Sequence, residues 1–98
     1  MSEERRHLAK AFYKKFEAID DSLWTTESFT NGAKYCALGH LGCRKRFGGI
    51  TDEGHQLSTI LGGHPSVVAN INDGHLPEYP QPTPKARILA ALKDIIRQ

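Results

Sequence analysis

The chain holds little that would impose a structure from outside. Only two cysteines, Cys36 and Cys43, stand among its 98 residues, too few for the disulfide framework on which small secreted domains rely. On one continuous helix they would lie about 10 Å apart along the axis, beyond the roughly 7 Å between Cα atoms that a disulfide tolerates. Reduced thiols agree with a cytoplasmic setting. No apolar run approaches the roughly 20 residues of a membrane-spanning helix. The opening Met1-Ser2-Glu3-Glu4-Arg5-Arg6 lacks the apolar segment of a signal peptide. The expectation is a cytoplasmic protein with no membrane contact. Net charge is also scarce: +2 is too small to imply nucleic acid by itself. Phosphate-cradling loops are absent, since Gly48-Gly49 and Gly62-Gly63 match no nucleotide-binding pattern. No internal repeat stands out.

What is present reads as one small helical domain. A hydrophobic share of 39% with 24% charged residues suits a modest core inside a polar shell. The pattern predicts an all-α fold of four or five helices near 3–20, 33–46, 52–61, 65–73 and 84–97. Ser2 caps the first, Glu3 and Glu4 complement its dipole, and Leu8, Phe12, Phe16 and Ile19 form its apolar stripe. Asp20-Asp21-Ser22 ends that helix or caps a short turn. The stretch from Leu23 to Gly32 reads as irregular or extended, with Asn31-Gly32 a turn signal and Trp24 a core anchor. Thr51, followed by Asp52 and Glu53, opens the third helix, and Leu57, Ile60 and Leu61 face inward. Pro65 starts the fourth and Gly74 stops it. Four prolines fall between Leu76 and Pro84. They make 76–84 a semi-rigid connector, pinned by Leu76 and Tyr79, to a last helix that opens at Thr83-Pro84.

The densest chemistry lies in Tyr35-Cys36-Ala37-Leu38-Gly39-His40-Leu41-Gly42-Cys43. On a helix over 33–46, Cys36, His40 and Cys43 share one face beside Gly39 and Gly42. Two internal glycines cost that helix about 1 kcal/mol each relative to alanine. It therefore needs burial against its neighbours, and the first and last helices should pack around it. For a metal, Cys36 and His40 are one turn apart and can reach one ion, but further ligands would have to come from His64 or His75. The spacing lacks the paired short loops of structural zinc sites, so no metal and no cofactor is expected. For thiol catalysis, Cys36 would be the nucleophile, His75 or His64 the base, and Asp73 or Asn72 its orienting partner. A cysteine flanked by Tyr35 and Ala37-Leu38 is more readily an inert small hydrophobe. Asn72-Asp73 at a helix end satisfies loose backbone groups through its side chains. With His40 and His75 the same pair could instead line a polar pocket for a small ligand. Arg6, Lys10 and Lys14 recur on one helix face, and Arg44-Lys45-Arg46 forms a second basic knot. These residues are candidate contacts for a protein partner and, less well supported, for nucleic-acid phosphates.

Trp24, Gly32, Cys36-Ala37-Leu38-Gly39 and Asn72-Asp73 before an apolar C-terminal helix together resemble a family of small uncharacterised bacterial and phage proteins. Its members look like a tryptophan, a Cys-Ala-Leu-Gly-Ala-like helix, an Asn-Asp pair and a closing helix. His40 stands where the pattern usually has alanine. The resemblance implies a compact helical fold and a phage origin, and no reaction. The expectation is thus a non-catalytic factor that binds a protein, is encoded by a phage, modulates a host system in the host cytoplasm, and self-associates as a homodimer.

Overall fold

The computed structural model describes residues 3–44 and 49–98. It is all-α apart from one small hairpin. Helix α1 spans Glu3–Glu17, α2 Ala37–His40, α3 Asp52–Leu61, α4 Pro65–Asp73 and α5 Pro84–Ile96. A 3-10 turn, Asp21–Leu23, and the antiparallel strands β1 (Thr30–Asn31) and β2 (Lys34–Tyr35) lie between α1 and α2.

The amphipathic helices follow their apolar spacing. Phe12 and Phe16 of α1 are buried together with Ala9, while Leu8 and Ile19 pack only partly against the core. Their partner is chiefly α5, which buries Ile88, Ala91, Leu92 and Ile95. Leu57 and Ile60 of α3, with Val68 and Ile71 of α4, complete the body. Trp24 is an anchor as expected: it lies 5.4 Å edge-on to Phe16, and its indole N–H donates to the Ile19 carbonyl.

Local polar chemistry sets the helix ends. Thr51 and Thr83 accept the Gly54 and Ala86 N–H groups through their hydroxyls, at 3.2 and 3.1 Å. His64 caps α4 instead of a hydroxyl residue, its Nδ1 accepting from Ser66 N–H at 3.1 Å. α1 stops at Glu17, short of 20, because Asp20 turns away to cap the 3-10 turn through Ser22 N–H at 2.9 Å.

The segment 33–46 departs most from expectation. Among its described residues only one helical turn forms, because Lys34 and Tyr35 are spent in the hairpin with Asn31 and Thr30. The chain then stays extended through Cys36, which becomes the N-cap of α2. Gly39 sits where the hairpin crosses the turn: a Cβ there would lie 2.0 Å from the Phe29 carbonyl oxygen. Gly42 ends α2 at φ +88°, a conformation that side chains resist. With it, Cys43 N–H reaches back to the Leu38 carbonyl and Gly42 N–H to that of Gly39, closing the turn in a Schellman arrangement. Cys36, His40 and Cys43 therefore do not share a helix face. The segment is nonetheless buried, as the core reading requires: Ala37, Leu38, Leu41 and Cys43 all lie inside. Lys45 and Arg46 fall outside the described residues.

Candidate functional site

The end of α4 fastens the hairpin region to the helical body. Asn72 is 1% exposed, and its amide is used from both ends. Its Oδ1 accepts the Ala37 N–H at 3.0 Å, capping the first turn of α2. Its Nδ2 donates to the Thr25 carbonyl and to Asp73 Oδ1, both at 2.9 Å. One side chain thus ties together strands of sequence 47 and 35 positions away. Behind it, Arg87 closes the end of α4. Its guanidinium donates to the Asn72 carbonyl at 2.8 Å, to that of Ile71 at 3.2 Å and to that of Gln81 at 2.8 Å. A buried cation at a helix C-terminus satisfies carbonyls that would otherwise be orphaned and complements the dipole.

Asp73 continues the fastening outward. Its Oδ1 also accepts the Glu27 N–H, at 3.1 Å. Glu27 holds φ +67°, the sole non-glycine residue with positive φ among those described. A glutamate in this conformation is uncommon and calls for a local constraint, which the bond from Asp73 supplies. His75, just beyond the Gly74 cap of α4, brings its Nε2 to 3.3 Å from Glu27 Oε1. Glu27, Asp73 and His75 therefore converge, with one ligand-type atom from each lying within 4.8 Å of the others.

A cleft of about 530 Å3 opens beside this convergence, between the 27–30 stretch and α4. Phe29, Ala69 and Cys36 form apolar wall, Ser28 and Thr30 add polar surface, and Glu27 and Asp73 bring two carboxylates. The Cys36 sulfur is 3.4 Å from Gly39 N–H, accepting from it. Burial pushes the thiol above its ordinary pKa, against the opposing pull of the Gly39 and Leu38 N–H groups. Burial thus favours the neutral thiol at Cys36, the opposite of what activates a nucleophile. A second hollow of about 250 Å3 lies where the connector meets α3, α4 and α5, and Tyr79 bridges its edge by donating to Asp94 Oδ2 at 3.0 Å.

The sequence-derived candidates are scattered by this arrangement. His40 lies away from the cleft cluster, its ring 4.7 Å from Trp24 and 5.3 Å from Tyr35. Burial lowers its pKa, more than the Leu23 carbonyl raises it, and Arg44 and Lys15 lower it further. Its Nε2 is buried without a hydrogen-bond partner among the described residues. The Cys36–His40 pair does not belong to the one ligand cluster found among those residues. Arg44 folds back to cap α2, donating to the Gly39 and Cys43 carbonyls at 3.0 and 2.7 Å, and lies 4.8 Å over the Tyr35 ring. Arg6 pairs with Glu3 and donates to the Gln98 carbonyl. Lys10 and Lys14 remain exposed on α1. Asn72 spends its amide on Ala37, Thr25 and Asp73, whereas Asp73 and His75 bring ligand-type atoms within 4.8 Å of one another. The sequence reading missed Glu27, Phe29 and Ala69. Nothing local marks Glu27, whose position depends on a contact 46 residues away.

Fold and site together define a small all-α protein with a polar clasp and an open side cleft. No family model, curated protein or solved structure matches the chain.

Proposed function

We propose that the protein is a non-catalytic binding module and that the cleft between the 27–30 stretch and α4 receives its ligand. The observation that carries this reading is the cleft's construction. About 530 Å3 of open space meets apolar walls at Phe29, Ala69 and Cys36, with a small set of fixed polar groups at Glu27 and Asp73. That combination is how small-ligand sites are generally built. The Asn72–Asp73 clasp supports it by holding both walls in place before a ligand arrives, which lowers the cost of ordering them on binding. Two carboxylates in the cleft disfavour a nucleic-acid backbone there, since they would face its phosphates. The raised pKa and hydrogen-bonded sulfur of Cys36 support binding over thiol chemistry.

A protein partner fits the same reading as the source of a side chain or peptide end that enters the cleft. Lys10 and Lys14, exposed on α1, are secondary contacts in that version. A factor of phage origin, which the resemblance implies, that acts on a host protein in the host cytoplasm would use such a module. Fragment screening by amide NMR tests the proposal. Small aromatic and aliphatic fragments should perturb Phe29, Thr30, Cys36 and Ala69 together, and Ala69→Phe, which fills the cleft, should abolish those shifts. Fragments that scatter over other surfaces, or shifts that survive in Ala69→Phe, would overturn it.

A further inference from the structure

We propose that Glu27, Asp73 and His75 form a divalent-cation site at the rim of the cleft, suited to a first-row transition ion such as Mn2+, Co2+, Ni2+ or Zn2+. Three features of the geometry lead there. The donor set is two carboxylates and an imidazole, a mixture of hard and borderline ligands that suits these ions. Their spacing is that of a chelate. Two ligand atoms bound at right angles to one ion, about 2.1 Å from it, lie about 3.0 Å apart; His75 Nε2 and Glu27 Oε1 are separated by 3.3 Å. One ligand-type atom from each residue lies within 4.8 Å of the others, so a small movement of the exposed Glu27 and His75 side chains toward the half-buried Asp73 brings them onto a common centre.

The third feature is the support behind the ligands. Asp73 Oδ1 is held by the amide of buried Asn72 and by Glu27 N–H. Both bonds end on Oδ1 and fix the carboxylate's direction. Outer-shell hydrogen bonds of this kind orient ligating groups in metal sites. His75 is placed by the end of α4, its own N–H donating to the Asn70 carbonyl at 2.9 Å.

The adjoining cleft gives the ion something to do. Glu27 and Asp73 belong to both cluster and cleft wall. Three protein ligands leave coordination positions open, and on the cleft side these face about 530 Å3 of space where a ligand atom can complete the shell. The metal candidates named from sequence differ: Cys36 is committed to Gly39 N–H, and His40 is enclosed by Trp24 and Tyr35.

Titration of the 15N-labelled protein with Mn2+ tests the site. Paramagnetic broadening should centre on the amides of Glu27, Asp73 and His75 and saturate. Glu27→Gln and His75→Asn should each weaken binding by about tenfold or more. Both residues are exposed, so each variant should keep the parent's thermal transition and amide spectrum. That makes them safer than Asp73→Asn, which disturbs the clasp. Broadening centred on His55 or His64, affinity unchanged in both variants, or no saturation at millimolar Mn2+ would overturn the proposal. The fragment experiment on the cleft needs no metal, so the failure of one reading is distinguishable from failure of the other.

Discussion

The helical body and the clasped segment of this protein are held by different physics. In the body, α1, α3 and α5 meet through Phe12, Phe16, Leu57, Ile88 and Leu92, and the free energy comes from apolar area removed from water. Between Trp24 and Arg44 there is little regular structure to bury: two strands of two residues each and a helix of four. That segment adds Trp24, Ala37, Leu38 and Leu41 to the same core, but its backbone is fixed in addition by directed bonds from Asn72, Asp73 and Arg44. Apolar packing tolerates adjustment and is spread over many residues. A buried amide making bonds from both ends is neither adjustable nor redundant, and losing it leaves several backbone groups unpaired inside the protein.

Substitutions can break this contrast or sharpen it. Phe16→Ala removes a fully buried ring from the body and should cost about 4 kcal/mol of global stability. Denaturant unfolding should stay a single transition, moved to lower concentration. Asn72→Ala should cost about 3 kcal/mol. It should also do what Phe16→Ala does not, selectively exposing amides between Thr25 and Ala37 to exchange; equal exposure throughout would dissolve the distinction between the regions. Gly39→Ala forces a methyl against the Phe29 carbonyl oxygen. A loss of about 2 kcal/mol is expected, with amide shifts concentrated in the hairpin and cleft wall.

The smallest effect is one of pH. Burial depresses the His40 pKa in the folded protein. The unfolded chain therefore binds the proton first as pH falls. Stability is unaffected well above the ordinary imidazole value of about 6.5 and declines as pH drops through it toward the lower folded value. His40→Phe keeps a ring beside Trp24 and Tyr35 and should flatten that decline, as read by thermal denaturation at pH values on either side.

The two regions also differ in how far the sequence discloses them. Helices 52–61 and 65–73 are legible to the residue, and α5 to one residue, because apolar periodicity and the signals at Thr51, Pro65, Gly74 and Thr83 all act within a few positions. The stretch 33–46 is not. Cys36, His40 and Cys43 stand at helical spacing, yet their conformation is decided by strand pairing with Thr30 and Asn31 and by the passage of Phe29 over Gly39. The site divides in the same way. Asn72, Asp73 and His75 stand out locally, as polar residues at a helix end beside a glycine. Glu27 does not, since its unusual backbone is set from across the fold. The basic residues show a related limit: Arg44 and Arg6 donate to backbone carbonyls, acceptors that their linear spacing does not reveal.

The amide of Ala37 offers the most direct test of the clasp on which cleft and rim depend. Its hydrogen exchange should be slow in the parent protein, where Asn72 Oδ1 accepts it at 3.0 Å. In Asn72→Ala it should accelerate well beyond the amides of Leu57 and Leu92, which report only global opening. Acceleration no greater than theirs would show that the side chain of Asn72 does not fasten this segment to α4.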